Sequence, residues 1–275
     1  MTMPPDPQAG RGRRTVTVHG GDDGGRTTDG RAEDWLAEEA PVEVRYNGEP
    51  FAVMMATPVD LEDFAWGFSL SEGRVDGADR IDGVDVQARL EGFVVDIDAP
   101  SASPPEPGDA RLLPGRSGCG LCGSRRLEEV LQVPARVSDG PLLDSDALQR
   151  ACMALEDFQP LNASTGAMHA AAWASTDGRI LRVREDVGRH NALDKLLGSL
   201  VREGVDLRAG FVLVSSRASY EMVTKAARLG VGVLAAVSAP TALAVDLARA
   251  CGLTLAGFVR PGRQVIYSHP QRLDV

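Results

Sequence analysis

Two cysteines three residues apart, each set between glycines, form the chemically most pointed segment of the chain: Gly118-Cys119-Gly120-Leu121-Cys122-Gly123. A thiolate is both nucleophile and metal ligand. A pair at this spacing can share a metal, close a disulfide or hand a sulfur atom from one residue to the other. A structural zinc site needs two more ligands, usually a second closely spaced pair. Cys152 and Cys251 each stand alone, so zinc would require a scattered set that draws on His169 or His190. A redox pair of the thioredoxin kind opens a helix directly after a strand, whereas this pair ends a Pro/Gly-rich stretch.

Four other segments concentrate polar chemistry. Thr165-Gly166-Ala167-Met168-His169 places a histidine at the start of an Ala-rich strand. Zinc deaminases carry a catalytic glutamate two residues after such a histidine; here that position is Ala171 and the cysteine pair lies upstream, so deaminase chemistry is disfavoured. Arg184 to Lys195 crowds Asp186, Arg189, His190, Asn191 and Asp194 into a strand-to-helix junction. A plain reading makes Asp186 the helix N-cap and turns Asn191 and Asp194 to water. The alternative is an anion site at the carboxyl end of a strand. Ser215-Ser216-Arg217 repeats that position after the next strand, where hydroxyls, a guanidinium and free helix N–H groups suit a phosphate. Phe258-Val259-Arg260-Pro261-Gly262-Arg263 puts two arginines on a tight turn that can clamp a pyrophosphate.

The elements that must hold these groups follow from patterning. The first 34 residues are rich in Gly, Asp, Arg and Thr and read as a disordered tail, with one short strand at Thr15 to His19. Residues 35–99 read as a small β-rich lobe. It holds a hairpin around Asn47-Gly48, a helix from Asp60 toward Gly73, and a second strand pair turning at Glu91-Gly92. Residues 100–123 form a Pro/Gly-rich loop that ends in the cysteine pair. Residues 124–275 alternate helices with short continuous apolar strands at Phe211 to Val214, Val231 to Val237 and Leu253 to Val259, the pattern of parallel βαβ units.

Composition narrows the partners. The 275-residue chain carries a formal charge of −10, which disfavours a non-specific nucleic-acid binder and requires a local basic site for any anion. Of its basic residues only Lys195 and Lys225 are lysines, so most positive charge is the forked, bidentate kind. No apolar run is long enough for a membrane span. No apolar export segment follows Arg13 and Arg14, so a cytoplasmic protein with reduced thiols is expected.

The ordered set Asn47-Gly-Glu-Pro50, Gly67-Phe-Ser-Leu-Ser-Glu-Gly73, Cys119-Gly-Leu-Cys122, Thr165 to His169, Arg184 to Ala192, Ser215 to Arg217 and Arg260 to Arg263 resembles the formate dehydrogenase accessory sulfurtransferase family, FdhD. The resemblance implies an α/β fold, a cytidine-deaminase-like α/β layer without its zinc, joined to the smaller β-rich N-terminal lobe. It implies a sulfur carrier that takes persulfide sulfur from a cysteine desulfurase and passes it to the molybdenum cofactor, bis-molybdopterin guanine dinucleotide, of formate dehydrogenase. Cys119 would hold the persulfide and Cys122 would assist. Phe258, Val259, Arg260, Pro261, Gly262 and Arg263 would bind the guanine dinucleotide, with Ser215, Ser216, Arg217, Arg189, His190 and His169 completing the cofactor site. No zinc is expected, and a homodimer is. The competing reading is a zinc-bound or non-catalytic scaffold that presents the cofactor to its client.

Overall fold

A computed structural model describes residues 10–21, 27–102, 133–137 and 140–274. Cys119, Cys122 and nearly all of the loop that carries them lie outside the described residues. Three sheets organise the rest.

The N-terminal stretch differs from the tail read in the sequence: β1 (Arg11–Gly21) pairs antiparallel with β2 (Thr27–Ala37) as a two-stranded ribbon. The guanidinium groups of Arg11 and Arg13 lie over the Trp35 ring, with carbons 4.8 and 5.6 Å from its centroid. Cross-strand stacking thus supplies what the polar sequence lacks in apolar alternation.

The second sheet, in the order β4-β3-β6-β5, is built from β3 (Ala40–Tyr46), β4 (Glu49–Ala56), β5 (Gly83–Arg89) and β6 (Gly92–Asp98). Asn47 and Gly48 both take positive φ in the turn between β3 and β4, which is why the Asn-Gly pair marks it. Helix α1 (Leu61–Ser71) lays Phe64, Ala65 and Phe68 onto Val42, Val44, Phe51 and Val95 in one buried core.

The third sheet has the order β12-β11-β10-β9-β7-β8. Strands β9 (Gly210–Val214), β10 (Val233–Ala236) and β11 (Thr254–Arg260) run parallel, as their continuous apolar sequences require. β7 (His169–Ser175) and β8 (Ile180–Asp186) complete one side, and β12 (Arg263–Ser268), a strand the sequence did not announce, closes the other. Helices α4 (Arg189–Arg202), α5 (Tyr220–Arg228) and α6 (Ala242–Cys251) share one core on one face. On the opposite face, α2 (Ala147–Ala154) covers a second core, and the short α3 (Pro160–Thr165) follows it.

The small lobe is bolted to the large one through α1 against α4. A Cβ on Gly67 would stand 1.8 Å from the Asp194 carbonyl oxygen, and one on Gly198 would stand 1.9 Å from that of Asp63. Both glycines are therefore required for the two backbones to touch. Around this crossing the polar side chains turn inward. Asp186 is no helix N-cap; Gly188 takes that place, and Asp186 is wholly buried in an ion pair with Lys195 at 2.6 Å. Asn191 and Asp194 are buried as well, Asn191 by bonds to Met55 O and Asp186 and Asp194 by Lys225, both oxygens lying within 3.0 Å of its ammonium. The lobe docking on this helix start hides the groups that an isolated helix would show to water.

Candidate functional site along one sheet edge

Strand direction decides where the polar segments gather. β8, β9, β10 and β11 all end on one edge of the large sheet, while the antiparallel β7 and β12 begin there. His169 opens β7, Arg189 and His190 follow β8, Ser215 to Arg217 follow β9, and Arg260 to Arg263 join β11 to β12. All the sequence-predicted site residues within the described parts thus stand on one edge. From β8 to β11 are four strand spacings, a row about 19 Å long.

Backbone bonds stitch the loops of this edge together. Ser215 N–H donates to Ala170 O, Val237 N–H to Val214 O, Thr241 N–H to Ala218 O and Phe258 N–H to Ser238 O, at 3.0 to 3.1 Å. The row is therefore preformed, as a binding edge should be.

At one end His169 faces Asp186 across the β7–β8 ladder. Burial, then the Arg189 charge and the neighbouring His190, push the His169 imidazole below its ordinary value of 6.5, against a smaller upward pull from Asp186. Beneath it, Asp186 accepts from the backbone N–H groups of Thr57 and Gly188 and from Asn191, and pairs with Lys195, whose ammonium also donates to Thr57 O at 2.9 Å. The protein thereby shapes the turn that presents Arg189 and His190 with a charge pair that never reaches solvent.

In the middle, Ser215 Oγ accepts from Ala170 N–H at 2.8 Å and Ser216 Oγ donates to Arg217 O at 3.0 Å. Both hydroxyls serve the backbone, while Arg217 is exposed. At the far end Pro261 and Gly262 form the turn between the paired Arg260 and Arg263, and Gly262 takes φ 74°, a conformation that favours glycine. Phe258 also adopts positive φ, and Arg263 lies over its ring, 5.1 Å from the centroid. Val259 is buried, whereas Arg260, Pro261, Gly262 and Arg263 are exposed. Two guanidinium groups, one steadied on an aromatic face, flank a turn whose Gly262 N–H is held by Gln149 Oε1 at 2.9 Å. That arrangement suits a diphosphate.

Two residues near the edge were not singled out from the sequence. Glu221 in the first turn of α5 contacts His190 Nε2 at 2.7 Å. An acidic residue there looks like ordinary helix-dipole compensation, and the sequence held no sign of its partner. Cys152 on α2 donates to Val259 O at 3.0 Å, and burial pushes its thiol up, more than Arg260 pulls it down. Cys251 is fully buried. Among the described residues no three His, Cys, Asp or Glu side chains converge as a metal-binding group. Nor is any described helix long and apolar enough to cross a membrane.

Comparison with known proteins places this architecture. The model of the FdhD/NarQ family matches residues 37–274. A protein named sulfur carrier protein FdhD from Xanthomonas euvesicatoria is 54% identical over 267 residues, 95% of this chain and 92% of its own. Its namesake from Cupriavidus necator is 54% identical over 242 residues, 88% of this chain and 84% of its own. A crystal structure titled as a formate dehydrogenase accessory protein, from Desulfotalea psychrophila, superposes with a TM-score of 0.72 at 24% identity, covering 96% of this chain and 99% of that one, and establishes the mixed α/β fold.

Proposed function

We propose, on the premise that this chain belongs to the FdhD/NarQ family, that it carries sulfur as a persulfide and delivers it to a molybdenum cofactor bound along the sheet edge. The observation that carries this reading is the edge itself. In a chain of net charge −10, Arg189, His190, Arg217, Arg260 and Arg263 line one margin of one sheet, over a length that suits an extended dinucleotide. The name its relatives carry, sulfur carrier protein, supplies the other half.

The reaction balances without an external reductant at the moment of delivery. A cysteine desulfurase loads Cys119 as a persulfide. The Cys122 thiolate attacks the inner sulfur, the one bonded to Cys119 Cβ, so that the sulfur–sulfur bond breaks, a Cys119–Cys122 disulfide forms and the outer sulfur departs as hydrosulfide. The Cys122 sulfur is oxidised from thiolate to disulfide, the Cys119 sulfur keeps its oxidation state, and the outer sulfur is reduced to sulfide. Sulfide replaces an oxygen ligand of the cofactor, which leaves as water, and a dithiol reductant then reopens the disulfide. The cargo is the bis-molybdopterin guanine dinucleotide. Its diphosphates meet Arg260 and Arg263, and the remaining polar groups of the row orient the rest. The client is a formate dehydrogenase, and the chain works in the cytoplasm as a homodimer. A deaminase-like layering of the large sheet belongs to the same reading; Ala171 is buried in the core beneath α4 and offers no acid or base there.

Incubation with a cysteine desulfurase and cysteine, followed by mass spectrometry, should give a species heavier by about 32 Da, one sulfur, on the peptide that spans Cys119 and Cys122. Cys119→Ala should fold normally, bind guanine nucleotide and fail to activate formate dehydrogenase. Full activation by that variant, or no persulfide on the wild type, defeats the reading.

A further inference from the structure

His190 and Glu221 stand in the first turns of α4 and α5, the helices that follow β8 and β9 at the same sheet edge. Their side chains, 12% and 11% exposed, meet through Nε2 and Oε2 at 2.7 Å. Ser219 Oγ lies 3.5 Å from the same ring nitrogen. Every hydrogen bond of the ring among the described residues therefore runs through Nε2, and Nδ1 has none there. Glu221 Oε1, meanwhile, is buried without a hydrogen-bond partner among those residues. A carboxylate in the first turn of a helix is ordinarily content in water, where the macrodipole favours it at no cost. One that turns inward onto a ring nitrogen and leaves its second oxygen unsatisfied is held there against a desolvation penalty. What that arrangement yields is a fixed imidazole. The carboxylate keeps the proton on Nε2, and the opposite nitrogen keeps a lone pair that can take a proton.

We propose that Glu221 is a positioning residue that makes His190 the proton carrier of sulfur insertion, with Nδ1 taking a proton from the incoming sulfide and giving it to the oxygen that leaves the cofactor. This rests on the sulfur-carrier reading above. The balance is closed: the hydrosulfide brings one proton and solvent supplies the second, the departing oxygen takes both as water, and no electrons change hands at this step. One proton passes by way of Nδ1, which returns to its starting state. The titratable groups shown to act on the ring are Glu221 from α5 and His169 from β7, and Arg189 precedes it on its own helix. Glu221 is the one among them bonded to the ring, and its negative charge supports the protonated imidazole that forms in mid-transfer.

The test uses the full chain, loaded with persulfide, and follows the rate at which a formate dehydrogenase is activated as a function of pH. The wild type should show a pH-dependent limb. Glu221→Gln keeps the shape and removes the charge. It should slow activation on the order of 10²-fold and move the limb to lower pH, since the ring loses its anionic neighbour. His190→Gln should abolish the limb. The persulfide load of both variants should equal that of the wild type. Nitrogen-15 resonances of the His190 ring give a readout independent of turnover: an Nε2–H tautomer in the wild type, and a mixture in Glu221→Ala. Unchanged rate and pH profile in Glu221→Gln, or an Nδ1–H tautomer in the wild type, overturns the proposal. A wild-type chain that takes up no persulfide would instead overturn the reading on which it rests, and the mass spectrum separates the two outcomes.

Discussion

Where α1 crosses α4 the fully buried cations are lysines, with Arg184 and Arg202 pairing Asp63 at the margin; along the edge of the large sheet Arg217, Arg260 and Arg263 face out. Lys195 and Lys225, the only two lysines of the chain, are each enclosed by carboxylates, Lys195 by Asp186 and Lys225 by Asp194 and Glu72. Arg217, Arg260 and Arg263 are exposed, and Arg263 rests on Phe258. The division follows from the chemistry of the two groups. An ammonium is a compact charge with three donors that a ring of oxygens can saturate: the Lys225 Nζ has Ser71 Oγ, both Asp194 oxygens and Glu72 Oε1 within 3.0 Å. A guanidinium is planar and weakly hydrated, and its fork stays available to a bidentate anion. Charges satisfied inside the protein hold the lobes together. Those left at the edge make it the candidate binding surface.

The sharpest way to break the comparison is to remove one member of an enclosed pair. Lys225→Met should strand Asp194 in the interior, where burial already pushes its carboxyl up, and cost about 3–5 kcal/mol in denaturant titrations. Lys225→Met combined with Asp194→Leu should recover much of that loss, because a buried ion pair is often replaceable by apolar groups of similar size. Gly198→Ala comes next. Its methyl would stand 1.9 Å from Asp63 O, so the lobes must separate at a cost of about 3 kcal/mol. The edge should behave in the opposite manner. Arg263→Ala should leave the unfolding midpoint within about 0.5 kcal/mol of the wild type, yet weaken guanine nucleotide binding on the order of tenfold in calorimetry.

The smallest effect sharpens the boundary between the two regions. Burial and the neighbouring Arg189 charge lower the His169 imidazole, so the folded chain binds a proton less readily than the unfolded one. The unfolded state therefore takes up more protons as pH falls through 6.5, and stability should decline from neutral pH toward pH about 5. His169→Gln should flatten that part of the pH–stability curve, a change of roughly 1 kcal/mol or less. An unaltered slope would place the imidazole in water rather than in the half-buried corner of the edge.

What could be read in advance was whatever a short stretch of chain decides for itself. The turn at Asn47-Gly48 sets its hairpin locally, and the apolar runs at Phe211, Val231 and Leu253 fix parallel strands because both faces are covered. With parallel strands, the polar segments after β8, β9 and β11 must share an edge, so the placement of the candidate residues as a row was legible even though its order across the sheet was not. What stayed hidden depends on long-range partners. Ser71 meets Asp194 across 123 positions, and nothing near Asp194 hints that it points inward. Glu221 gave no signal because its partner, His190, stands 31 positions away. The ribbon of β1 and β2 was missed because its stability comes from guanidinium stacking on Trp35 rather than from alternating apolar residues.

Hydrogen exchange with and without guanosine diphosphate tests the division between seam and edge most directly. Protection should rise at Gly188 to His190, Ser215 to Arg217 and Phe258 to Arg263, and stay unchanged across α1 and the buried turns of α4. Protection confined to the seam, or nucleotide binding that leaves all three edge segments untouched, would contradict the account.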